Sequence, residues 1–115
     1  MENKIYRDLE VLQMQHKTWL AHNFPGQKPH DALLGLVEEV GELAHAHLKH
    51  DQQIRGLGDI AQANDKKIDA IGDIVIYLAS YCNSNGFNLA ACVHTTWEKV
   101  RERDWQADAE GVTAL

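Results

Sequence analysis

The sequence predicts an all-α fold, on three observations. Apolar residues recur at helical spacing in four segments, clusters of Gly, Asn and Pro separate those segments, and no stretch alternates polar and apolar residues between turn signals. With 115 residues, 44% of them hydrophobic, and only two prolines, the chain is expected to form one domain over 1–115 with a single core.

The first helix is read over 3–22, where Ile5, Leu9, Leu12 and Trp19 fall on one face, and Asn23 to Pro29 breaks it. A second helix follows from about Asp31 to Lys49, with Leu33, Leu36, Val37, Val40, Leu43 and Leu48 as its apolar stripe. The Gly-containing stretch from Asp51 to Asn64 reads as a long surface loop. A third helix is expected from an Asn64-Asp65 cap to about Asn83, with Asn85-Gly86 as a left-handed stop. Asn88 caps a fourth, Leu89 to about Arg103, and 106–115 reads as a frayed tail. The third helix is apolar over most of its circumference. Three helices of one short chain do not readily cover it, so a bundle completed by homo-oligomerisation, as dimer or tetramer, is expected.

A net charge of −6 with no run of five or six like charges argues against general nucleic-acid binding by phosphate neutralisation. A polyanionic ligand then requires a metal ion or a local basic patch. No segment approaches 18 consecutive apolar residues and the N-terminus has no signal-like apolar run, so no membrane partner and a cytoplasmic location are expected. Cys82 and Cys92 lack zinc spacing and read as buried small residues.

The chemistry lies in the carboxylates. Glu39 and Glu42 are three residues apart, with Glu38 about 40° beyond Glu42 around the helix, so the three form one acidic flank bordering the apolar stripe. Asp69 and Asp73 share a face of the third helix among large aliphatic residues, with Ser80 extending that stripe and Tyr77 on its flank. At this stage Asp69 has two readings, a site carboxylate or a first-turn charge that complements the helix dipole. Asp73 lies too far into the helix for the second. If the two acidic faces meet, like charges repel unless a hard cation neutralises them. All-oxygen ligands favour Mg²⁺, with Mn²⁺ next, and so point to phosphate chemistry. Gly35, Gly41 and Gly72 are tolerable in helices if they permit close approach. Lys99 and Arg103, one turn apart on the fourth helix, read either as phosphate contacts or as partners of Glu98, Glu102 and Asp104. Trp19, Trp97 and Tyr77 are stacking candidates for a nucleobase. His16, His22 and His94 carry no readable pattern.

Glu38-Glu39-Val-Gly-Glu42-Leu, then Asp69-Ala-Ile-Gly-Asp73-Ile-Val-Ile-Tyr77, then Trp97-Glu-Lys-Val-Arg-Glu-Arg-Asp-Trp105 resemble the MazG-type nucleoside triphosphate pyrophosphohydrolases, members of an all-α superfamily that includes dimeric dUTPases and dCTP pyrophosphatases. The resemblance spans about Leu33 to Trp105. It implies a MazG-like bundle and Mg²⁺-dependent conversion of a (d)NTP to the monophosphate and pyrophosphate, including house-cleaning of unwanted or non-canonical nucleotides. It also implies Glu39, Glu42 and Asp73 as metal ligands, Glu38 as the residue that orients or deprotonates water, and Lys99 and Arg103 as phosphate contacts. The sequence departs from the family where Ala70 stands at the position of the usual Glu of ExxD, with Asp69 as the substitute on nearly the same face. Trp97 stands where an asparagine is common. Two rivals remain. One is a divergent, non-catalytic metal-binding helical interaction module. The other is a di-iron protein using Glu42-Leu-Ala-His45, which needs a second ExxH that only a homodimer supplies.

Overall fold

The structure is a computed structural model that describes residues 4–52 and 57–106. Four α-helices make up its regular structure: α1 (Lys4–Asn23), α2 (Pro29–Gln52), α3 (Leu57–Asn85) and α4 (Leu89–Val100). No strand occurs among the described residues. No helix among them is long and apolar enough to cross a membrane.

The helix ends follow local chemistry. Pro29 opens α2 at the position where a missing N–H costs nothing, and the Asp31 carboxylate accepts the Lys28 backbone N–H at 2.8 Å, one half of a capping box. At the other end of the chain, Gly86 turns left-handed at φ 71° after α3, and the Phe87 N–H returns to the Cys82 carbonyl at 2.9 Å. Asn88 then caps α4 by accepting the Ala91 N–H at 2.9 Å. The stop at Gly86 and the cap at Asn88 are those expected from the sequence.

α3 begins earlier than expected. Leu57 to Asn64 is helical, so the stretch read as a long loop shrinks from both sides, and 53–56 lies outside the described residues. The physical reason is that the apolar register of α3 continues upstream. Ile60 is half-buried and Ala63 fully buried, about three and two turns before the buried Ala70. Lys67 Nζ and His50 Nδ1, 2.6 Å apart, hold this part of α3 against the end of α2. The expected tail, apart from Gln106, also lies outside the described residues.

α2 and α3 run antiparallel, since Gly35 meets Tyr77 near one end of the pair and His50 meets Lys67 near the other. Their close packing rests on alanine. Ala32, Ala46, Ala63 and Ala70 are buried, whereas Leu34, Val37 and Ile68 are 65%, 69% and 67% exposed. The stripe read as core on α2 is therefore divided: Leu36 and Leu43 turn partly inward, and Leu33, Val37, Val40 and Leu48 face outward.

α1 lies across α3 and α4, held by one glutamine. Gln13 donates to Asn83 Oδ1 and to the Phe87 carbonyl, and its own carbonyl oxygen accepts the Leu89 N–H, all within 2.9 Å. Beneath this clamp Ala79, Cys82 and Leu89 form a small core with Leu9 and Val75 packed on it. Cys82 is buried as expected, but Cys92 is exposed, and both thiols are free.

Candidate active site

The antiparallel register of α2 and α3 brings the two acidic faces together. They line a cleft of about 610 Å³ to which α2 contributes Glu38, Glu39, Glu42 and His45, and α3 contributes Lys66, Asp69 and Asp73. All five carboxylates singled out from the sequence meet here. Carboxylate oxygens of Glu38, Glu39 and Glu42 lie within 4.8 Å of one another. Glu38 thus stands in one group with Glu39 and Glu42.

Glu39 shows what this crowding costs. Its pKa is pushed up from 4.5 to about 7, first by desolvation, then by hydrogen bonding with Asp73 and Glu42 and by the charges of both. Tyr77 responds to the same field. Burial and then the charges of Glu39, Asp73, Glu38 and Glu42 hold its phenol above the ordinary range, which places the ring beside the cluster. Gly35 makes room for it. A Cβ at that position would collide with the Tyr77 ring carbons and lie 2.9 Å from its hydroxyl. Gly41 and Gly72 face open space, so of the three glycines read as permitting close approach only Gly35 does so, and it admits an aromatic ring.

Asp69 sits about three turns inside α3 now that the helix starts at Leu57. A first-turn charge is no longer an account of it. Ala70 is 1% exposed and turned away into the helix pair, while Asp69 reaches the cleft, so the aspartate is the acidic side chain that this turn of α3 supplies.

A second cavity, about 340 Å³, lies between α1 and α3, lined by His16, Trp19 and Phe24 from α1 and the following turn and by Asp73, Tyr77 and Ser80 from α3. Asp73 belongs to both linings. Trp19 stacks on His16 with ring centroids 5.7 Å apart and meets Phe24 at 5.8 Å. Trp19 and Tyr77, two of the three stacking candidates, thus line a cavity that shares Asp73 with the acidic cleft. Trp97, Lys99 and Arg103 do not line either cavity. Trp97 and Lys99 are on α4 and Arg103 in the turn after it, and α4 packs on α1 and α3 and not on α2. Arg101, between them, pairs with Glu98 at 3.7 Å.

Among the polar residues of the two linings, Lys66, His16 and Gln27 were not singled out from the sequence, and Ser80 only as an extension of the aspartate stripe. Lys66 was hidden by the helix start placed at Asn64, which made it a terminal surface lysine. His45 of the Glu42-Leu-Ala-His45 element lines the cleft, and His50 is engaged with Lys67.

Residues 27–107 match the sequence model of the MazG nucleotide pyrophosphohydrolase domain. The chain belongs to this family. No curated protein and no solved structure matches it significantly. The MazG match covers α2, α3 and α4 and so contains every carboxylate of the cleft, whereas α1 lies outside it.

Proposed function

We propose that this MazG domain is a Mg²⁺-dependent pyrophosphohydrolase that converts a (d)NTP to the monophosphate and pyrophosphate, with a house-cleaning role toward unwanted nucleotides. The observation that carries the reading is the five-carboxylate cleft with Lys66 as the cation in its lining. So many acids at close range strain the metal-free site, as the raised pKa of Glu39 records, and an all-oxygen donor set suits a hard divalent ion. Glu39, Glu42 and Asp73 would hold Mg²⁺, or Mn²⁺ in its place, with Asp69 substituting for the family's Glu. Such an ion supplies charge neutralisation for a triphosphate and for the leaving pyrophosphate.

The chain's own groups do the rest. Glu38, exposed at the cleft, orients the attacking water and takes up its proton. Lys66 faces the phosphates as a point charge. Trp19 and Tyr77, next to Asp73, provide aromatic faces for the base, so sugar and base lie toward α1 and the phosphates toward α2. Lys99, Arg103 and Trp97, outside both cavities of one chain, reach a nucleotide only from a neighbouring copy.

Self-association belongs to this reading. Leu34, Val37, Ile68 and Ile71 leave a broad apolar surface on the α2–α3 pair, and the radius of gyration, 17.9 Å, exceeds the roughly 13 Å of a compact chain of this length. A second copy is the natural cover, giving a dimer or a tetramer in the cytoplasm. A non-catalytic module with the same fold is the competing account.

The test is to incubate the protein with Mg²⁺ and each common NTP and dNTP. Monophosphate with pyrophosphate is the expected product pair. Orthophosphate release would indicate another phosphohydrolase, and no turnover of any triphosphate would favour the non-catalytic module.

A further inference from the structure

The corner between α3 and α4 is fixed by its backbone. The Phe87 N–H returns to the Cys82 carbonyl at 2.9 Å, Gly86 turns the chain at φ 71°, and the Cys92 N–H returns to the Asn88 carbonyl at 3.0 Å. Cys82 and Cys92, the chain's two cysteines, are thus held on either side of one turn. Leu89 brings them together. It packs on Cys82 in the small core, and Cys92 follows it by one turn on the same face of α4. The two thiols lie within hydrogen-bonding reach of each other, and both are free.

The pair is asymmetric. Cys92 is exposed, whereas Cys82 is 6% exposed. Burial, and then the neighbouring Cys92 thiol, push the Cys82 thiol above its ordinary pKa and so keep the proton on the inner sulfur. An oxidant arriving from solvent therefore meets Cys92 first. A sulfenic acid formed there has a second thiol beside it, the arrangement in which such an acid condenses to a disulfide. Packing alone accounts for Cys82, a small residue in a core, but not for an exposed thiol placed over it.

We propose that Cys82 and Cys92 form a reversible, peroxide-responsive thiol pair that on oxidation pins α4 to the end of α3. In the first step the Cys92 sulfur attacks one oxygen of hydrogen peroxide, the O–O bond breaks, and Cys92 sulfenic acid and water form. In the second the Cys82 sulfur attacks the Cys92 sulfur, the S–O bond breaks, and hydroxide leaves as water with the Cys82 proton. Two electrons pass from the two thiols to the peroxide, and a dithiol returns them by exchange through a mixed disulfide. α4 packs more extensively on α1 than on α3, so the new bond reinforces the lesser of its two contacts. The acidic cleft takes no part, and the thiol pair works whether or not the chain hydrolyses a triphosphate.

The test treats the reduced chain with hydrogen peroxide, blocks the remaining thiols with an alkylating agent and maps the peptides by mass. The expected product is a single chain that has lost two hydrogen atoms, takes up no alkyl group and yields a linked Cys82–Cys92 peptide. Its Tm should be raised by about 3 °C or more, and dithiothreitol should restore both thiols and the starting Tm. Cys82→Ser should leave Cys92 as a sulfenic acid that dimedone captures in about tenfold or more greater yield than in wild type. Cys92→Ser, at an exposed position, should slow oxidation of Cys82 about tenfold or more, so the pair is tested even where the buried substitution fails to fold. Four results overturn the proposal: lasting Cys92 sulfenic acid in wild type, a disulfide joining Cys92 of two copies in place of the internal link, undiminished oxidation of Cys82 in Cys92→Ser, or a link that leaves Tm unchanged or lower.

Discussion

The acidic cleft and the aromatic cavity share Asp73 and, on the proposed reading, divide the work of a nucleotide between them. The cleft is built from carboxylates that repel one another, between two helices packed through alanines, and the proposed function has a cation neutralise them. The cavity is built largely from rings, and it depends on α1. On the proposed reading one half addresses charge that every triphosphate carries and the other addresses the base, so that single substitutions are expected to disturb one without the other.

The largest expected effect is at the shared residue. Asp73→Asn should lower Mg²⁺-dependent turnover at least about a hundredfold while leaving the helical circular dichroism nearly intact, and retained activity would remove Asp73 from the site. Asp69→Ala acts on the cleft alone. It should cost about tenfold or more in kcat with base preference unchanged, and little change would mean that this aspartate does not replace the missing Glu at position 70. Gly35→Ala touches the border between the two halves. The new Cβ must push the Tyr77 ring aside, at about 1–3 kcal/mol of stability, and a lowered Tm with a raised KM is the expected pair of readings.

The smallest effect is a pH dependence. With its folded-state pKa raised from 4.5 to about 7, Glu39 favours the fold when protonated, so its contribution is fully present below about pH 4.5 and is lost as pH rises through 7. The metal-free protein should accordingly lose thermal stability between pH 5 and 7.5. Added Mg²⁺ should raise Tm more at pH 7.5 than at pH 5.5, because it binds the ionised carboxylates. Equal Mg²⁺ effects at both values would detach Glu39 from the metal.

The two halves also differed in how far the sequence revealed them. Glu38, Glu39 and Glu42 lie on one helix at spacings that fix their common face, and the same holds for Asp69 and Asp73, so the cleft needed only the meeting of two helices. Asp69 stayed ambiguous because helix propensity placed the start of α3 at Asn64, and the buried Ala63 that carries the helix further back is a weak signal. The cavity was hidden for a different reason. Trp19 and His16 are three residues apart on α1, but which face of α1 meets α3 is set by the Gln13 clamp on Asn83 and Phe87, a long-range contact that periodicity does not encode. Ser80 was visible only as an extension of the Asp69 and Asp73 stripe. The apolar pattern of α2 was read correctly as a stripe, yet alanines took the packed positions and Val37 and Val40 were left facing out, because periodicity finds a face without telling which neighbour covers it.

The most direct test of the central claim is turnover of a triphosphate in ¹⁸O-enriched water, followed by mass analysis of both products. Attack of water at the α-phosphorus, the reaction assigned to the acidic cleft, predicts that the label appears in the nucleoside monophosphate and that the pyrophosphate is unlabelled. Label in pyrophosphate, or in released orthophosphate, would place the attack elsewhere and contradict the account.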